Sequence, residues 1–176
     1  MISSVIWTKI PRVPAMFQSV STPVSILPIA ATETLMSLRD EVRERGLGPD
    51  GGLFIRFLSI DRRGDEVRFE TGVPTTKPWT KLEPLKYQSG DMPGGFAATT
   101  RHCGTYDSIP AALEALRARI RAQGCTPISW PYEFYTETPE DSFDGNYWET
   151  ELVWFVRRPG STNAQIVGRA VARSLE

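Results

Sequence analysis

The order strand, helix, strand, strand occurs twice in this chain, and that recurrence limits the folds open to it more than any other feature. In the first unit, residues 14–74, apolar and polar residues mix from Ala15 to Thr22 as in a strand, and Pro23 ends it. Ile29 to Arg45 reads as a helix, with Leu35, Leu38 and Val42 at helical spacing and Gly46, Gly48 and Pro49 as the stop. Leu53 to Ile60 is a strand rich in aromatic and branched residues, Asp61 to Asp65 a turn, and Glu66 to Val73 its hairpin partner. That partner alternates cleanly, with Val67, Phe69, Thr71 and Val73 on one side and Glu66, Arg68 and Glu70 on the other. After a polar connection from Pro74 to Pro93 the order returns in residues 94–158. Gly95 to His102 is a strand. Ser108 to Gln123 is a helix with Ile109, Ala112, Leu113, Leu116 and Ile120 on one face, stopped by Gly124 and Pro127. Trp130 to Thr138 and Asn146 to Val156 are strands joined by a turn over residues 139–145. Phe17 against Phe96, Leu53 against Trp130 and Glu66 against Asn146 give offsets of 79, 77 and 80 residues.

Each such unit has a sheet covered by its helix on one face and bare on the other. Two units satisfy their bare surfaces by joining into one antiparallel sheet or by enclosing a cleft, so the expected class is α+β with two main helices and a central ligand cleft. At the ends, Ile2 to Ile10 is a candidate edge strand, and residues 159–176 form a tail with a short helix expected from Asn163 to Leu175. With 40% apolar and 23% charged residues the chain can bury an ordinary core. A net charge of −1 argues against a nucleic-acid partner. No apolar run approaches the roughly 20 residues of a membrane span, and the start lacks the pattern of a signal peptide, so the expected place is the cytoplasm. Cys103 and Cys125 flank the second helix, whose length holds them about 20 Å apart, which predicts free thiols.

The residues offer no metal-ligand spacing and no phosphate loop, and no cofactor is expected. The single histidine, His102, stands at a strand end just before Gly104, and a partly buried imidazole bonding its own turn is the favoured reading. The chemistry concentrates in the last hairpin. Seven carboxylates and no Lys or Arg lie between Trp130 and Glu151, interleaved with large aromatic residues. Those in the loop, Glu137 to Asp144, read as a solvated turn rather than a calcium loop. Acids inside strands differ, because a carboxylate facing the covered side of a sheet is costly unless a donor or cation meets it. Glu151 lies mid-strand on the side of Tyr147, Val153 and Phe155; alternation also puts Glu133 and Tyr135 on one side of the neighbouring strand. If the register brings these sides together, carboxylates and a phenol converge. The other reading has Glu151 facing solvent or paired with an arginine such as Arg56. Spacing alone leaves both open. The aromatic residues read as core or as walls for flat, apolar or cationic molecules.

Phe69-Glu70-Thr71-Gly72-Val73-Pro74, then His102-x-Gly104-x-Tyr106 leading into a helix, Glu133-x-Tyr135 and Thr150-Glu151-Leu152 resemble the GyrI-like small-molecule-binding superfamily across residues 14–158. That group includes the effector-binding domains of AraC-type and MerR-type multidrug regulators. The resemblance implies two units related by a pseudo-twofold and puts the glutamate of the Thr-Glu-aliphatic motif, Glu151 here, in a ligand pocket among aromatics. Regulators of the family join the domain to a helix-turn-helix, for which this chain leaves no room, so a standalone member is expected. The first expectation is a binder of hydrophobic, aromatic or cationic small molecules, with Glu151 as counter-charge and Tyr106, Tyr132, Tyr135, Tyr147, Trp148 and Phe54 as contacts. The alternatives are a hydrolase opening cyclopropane-bearing alkylating natural products, with Glu151 as general base beside Tyr135 or Glu133, and a gyrase-inhibitor-like interaction protein.

Overall fold

The computed structural model describes residues 3–79, 86–135 and 148–161. The expected C-terminal helix and the turn of the last hairpin lie outside them. The class is α+β, with nine strands and two α-helices among the described residues. In chain order these are β1 (Ile6–Ile10), β2 (Val13–Pro23), α1 (Leu27–Glu44), β3 (Leu53–Ile60), β4 (Glu66–Pro74), β5 (Gln88–Met92), β6 (Gly95–Gly104), α2 (Ile109–Ala122), β7 (Thr126–Pro127), β8 (Tyr132–Tyr135) and β9 (Trp148–Arg157). One curled antiparallel sheet runs β1-β6-β9-β8-β3-β4-β2-β5, with β7 attached to β9. The order is a palindrome in roles, each half reading outward from the β8/β3 seam as hairpin strand, hairpin partner, first strand and edge strand.

Both halves repeat in detail. A short 3-10 turn leads into each helix, with a proline in the first helical turn where its missing N–H is harmless. Each helix ends on a glycine in the left-handed region, Gly46 at φ 63° and Gly124 at φ 66°. The next amide closes the cap in each case, Leu47 N–H to the Val42 carbonyl and Cys125 N–H to the Ile120 carbonyl, both at 3.1 Å. The C-terminal turns therefore superpose at an offset of 78 residues, Val42 on Ile120 and Leu47 on Cys125.

Helical spacing becomes packing. Ala31, Leu35, Leu38 and Val42 of α1 meet Met16, Ile55, Val67, Phe69 and Val73 of the sheet. Ile109, Ala112, Leu116 and Ile120 of α2 meet Ala98, Leu152, Trp154 and Val156. Leu38, Val42, Leu116 and Ile120 are completely buried, and each such side chain stabilises the fold by about 1.5–3 kcal/mol. The other face of the sheet carries a third cluster built on Phe54, Tyr132, Val153 and Phe155. No helix among the described residues is long and apolar enough to cross a membrane.

Two expectations are corrected and one is met. The connection from Pro74 to Pro93 contains an edge strand, β5, paired with β2; its Gln-Ser-Gly-Asp-Met sequence hides it because edge strands tolerate polar, solvated residues. The strand expected from Trp130 begins at Tyr132, and Trp130 is 55% exposed. Pro131 explains the late start, having no N–H to give to the ladder. The candidate edge strand at the N-terminus forms, over Ile6–Ile10, against β6.

Candidate functional site

The two halves meet where β8 pairs with β3 through Leu53↔Tyr135, Phe54↔Phe134 and Ile55↔Glu133. On its other side β8 pairs with β9 through Glu133↔Leu152 and Phe134↔Glu151. Alternation then sorts the side chains. Glu133 and Tyr135 share the face of Ile55 and Leu152, the face covered by the helices, at the divide between the α1 and α2 cores. Phe134 and Tyr132 share the opposite face.

Glu133 is 3% exposed. Burial pushes its carboxyl up to about 7, while the hydrogen bond donated by the Tyr135 hydroxyl to Oε2, at 2.9 Å, pulls it back. Among the described residues no cation offsets this burial. The Tyr135 hydroxyl is held well above its usual range by burial, by the neighbouring carboxylate and by its own hydrogen bond to it. The Tyr106 ring meets that of Tyr135 edge-on, with centroids 5.6 Å apart at 73°. Burial first, and then the charge of Glu133, raise the Tyr106 hydroxyl to about 12, yet 41% of the residue reaches solvent. The arrangement is thus a carboxyl that changes charge near neutrality, a phenol donating to it and a second phenol between it and water.

Tyr106 is held by a brace that spacing did not reveal. Ser108 donates its hydroxyl to the Thr105 carbonyl at 2.7 Å, and its Oγ lies 2.9 Å from Nε2 of His102. The tautomer that satisfies both bonds has Nε2–H donating to Ser108. His102 is 1% exposed, and the brace fixes the turn that carries Tyr106. Gly104, at φ 149°, makes room for it, since a Cβ there would stand 3.1 Å from Ser108 Oγ and 3.3 Å from His102 Nε2. The reading of His102 as an imidazole bonding its own turn describes this brace, although the ring is fully rather than partly buried; the role of Ser108 had no signal beyond its place before a helix.

The other expected site residues divide by face. The register does not bring Glu151 to Glu133 and Tyr135: opposite Phe134 and Arg101, it lies on the far side of the sheet. A single step of alternation separates the two acids. Arg101 lies 3.1 Å from Glu149 on that side. Arg56 is likewise not the partner of Glu151, for it pairs with Glu70 at 2.6 Å and donates to the Tyr132 hydroxyl at 3.0 Å. Phe54 and Tyr132, expected as ligand contacts, are 1% and 2% exposed and pack edge-on at 5.3 Å, so their rings belong to the third core cluster. Tyr147 and the side chain of Trp148 lie outside the described residues.

No family model and no curated protein matches the sequence. Solved structures match it strongly. The regulator EcmrR, in its complex with DNA, has a TM-score of 0.74 at 18% identity over 88% of this chain, which spans only 57% of that regulator's chain. The C-terminal domain of EcmrR alone gives 0.70 at 18% identity, covering 88% of this chain and 98% of that one. A hydrolase from Listeria innocua gives 0.62 at 11% identity over 87% of this chain and 91% of its own. SAV2435 bound to tetraphenylphosphonium gives 0.55 at 12% identity over 88% and 94%. The chain shares the fold of these proteins, and that fold fits the resemblance to GyrI-like domains.

Proposed function

We propose that this protein binds hydrophobic, aromatic or cationic small molecules against the floor between its helices, with Glu133 as counter-charge and Tyr135 and Tyr106 as aromatic and hydroxyl contacts. One observation carries the reading: a buried carboxyl, met by a phenol and by no described cation, stands where the two helix-covered cores divide. An uncompensated buried acid is destabilising, and a lipophilic cation supplies the missing charge without bringing water. The presence of tetraphenylphosphonium on a protein of the same fold agrees with such a ligand. Calorimetric titration with tetraphenylphosphonium tests it. Saturable binding that weakens about 50-fold or more in Glu133→Gln, and within twofold of unchanged in Glu151→Gln, is the expected result. Equal binding by all three proteins contradicts it.

A second reading has its own support: the Tyr135 hydroxyl lies 2.9 Å from the Glu133 carboxyl, which burial pushes up to about 7. A base poised near neutrality beside a donor suits hydrolysis of a strained ring. Ionised Glu133 would take a proton from the attacking water while its oxygen bonds to a cyclopropane carbon. The breaking ring bond would leave its electron pair on the substrate's carbonyl system, which takes up a proton. Incubation with a cyclopropane-bearing alkylator, followed by mass spectrometry, separates the readings: addition of one water by the wild type and none by Glu133→Gln supports the enzyme.

A further inference from the structure

The pseudo-twofold exposes a place that one half fills and the other leaves open. In the first half, the flank of α1 beside edge strand β5 is occupied by the chain itself. Tyr87 is 8% exposed with its hydroxyl 2.6 Å from Ser37 Oγ, and Trp79 packs on the same cluster with the Arg45 guanidinium 4.1 Å from its ring centre. Corresponding positions follow from the ladders. The matching bridges Pro49↔Thr75 and Pro127↔Val156 set Gly72 against Val153 and hence Phe17 against Thr99, whose edge-strand partners are Gln88 and Ile6. Val5 therefore stands where Tyr87 stands, and the helix offset of 78 puts Arg119 in place of Glu41 and Gln123 in place of Arg45.

In the second half that place is open among the described residues. A cleft of about 410 Å³ is lined by Ser3, Val5, Trp7, Arg119 and Gln123 among others, and a shallower depression of about 320 Å³ shares Trp7 and Gln123 and adds Phe96 and Arg158. Trp7 and Phe96 stack with centroids 5.9 Å apart at 19°, giving a flat apolar wall. The Arg158 guanidinium lies 3.6 Å from the Phe96 ring centre. Neither Arg119 nor Arg158 has a carboxylate partner among the described residues.

We propose that this cleft is a second binding site, on the opposite flank of α2 from the sheet seam, for a planar aromatic anion such as an aromatic carboxylate. The aromatic ring takes the place that Tyr87 and Trp79 fill in the first half. The carboxylate meets Arg119 and Arg158, whose planar guanidinium forks match a carboxylate in two hydrogen bonds. Charge and shape set the class: a cation is repelled by both arginines, and an aliphatic anion gains nothing from stacking. Binding here needs neither Glu133 nor the ligand that Glu133 recognises.

Titration of the full chain with 1-naphthoate, followed by tryptophan fluorescence and by ligand-observed NMR, tests the assignment. Saturable binding is expected, at least tenfold weaker for cyclohexanecarboxylate. Arg119→Glu, which restores the charge present at Glu41, weakens 1-naphthoate at least tenfold, and Val5→Tyr, which restores the bulk of Tyr87, abolishes it. Tetraphenylphosphonium affinity is unchanged in both variants, and circular dichroism verifies their fold. Absence of saturable binding at millimolar 1-naphthoate overturns the proposal, and this includes the case in which the chain's own ends occupy the cleft. Equal affinity of wild type and Arg119→Glu overturns it as well.

Discussion

The two halves put different chemistry into equivalent places at the seam. The matching bridges Pro49↔Thr75 and Pro127↔Val156 carry the helix offset of 78 into the seam, so Ile55 corresponds to Glu133 and Phe57 to Tyr135. The first half therefore offers two apolar side chains to the floor beneath the helices where the second offers a carboxyl and a phenol. The opposite face reverses the emphasis. Phe54 lies flat on Gly72, where an added Cβ would stand 2.0 Å from the ring, and is 1% exposed. Phe134 pairs with Glu151 and is only half-buried. One half closes the sheet and the other carries a destabilising polar pair, the pattern expected when a site trades stability for binding.

The largest effect comes from making the halves alike. The double change Glu133→Ile with Tyr135→Phe copies Ile55 and Phe57. It is expected to raise thermal stability by about 1–4 kcal/mol at pH 8 and to abolish tetraphenylphosphonium binding. A less stable double variant would break the comparison. Glu133→Gln isolates the charge. The native carboxyl titrates near 7 instead of 4.5, so between those values the folded protein holds a proton that the unfolded chain has released. Stability from this group is therefore full below pH 4.5 and falls as pH rises through 7, by roughly 3 kcal/mol at about 1.36 kcal/mol per unit. Urea denaturation at pH 5 and pH 8 should show that loss in the wild type and not in Glu133→Gln.

Gly72→Ala sharpens the other face. The Phe54 ring cannot keep its place above a methyl group, and a destabilisation of about 1–3 kcal/mol is expected by thermal melting. Smaller again, Tyr135→Phe removes the donor that lowers the Glu133 carboxyl. The midpoint of Glu133 should rise further, and cation affinity at pH 7 should fall about 5- to 10-fold in calorimetry.

Much of this was legible in the sequence, and the limits have physical causes. Helix faces were legible because Leu35, Leu38 and Val42, like Ile109, Leu116 and Ile120, recur at a spacing that only one burial pattern satisfies. The acid and phenol pair was legible as Glu133-x-Tyr135, since residues two apart in a strand share a face. Whether Glu133 or Glu151 reached the helix side was not, because a slip of one residue exchanges the faces and the length of sequence between the two strands leaves the register free. The partnership of Arg56 with Glu70 depends on the β3/β4 ladder, and the brace between His102 and Ser108 on a turn; neither leaves a mark in residue spacing.

The ionisation of Glu133 itself tests the account most directly, by a side-chain ¹³C NMR titration of the carboxyl with and without tetraphenylphosphonium. The account predicts a midpoint near 7 in the free protein that falls when the cation binds. A midpoint near 4.5, indifferent to the cation, would contradict it.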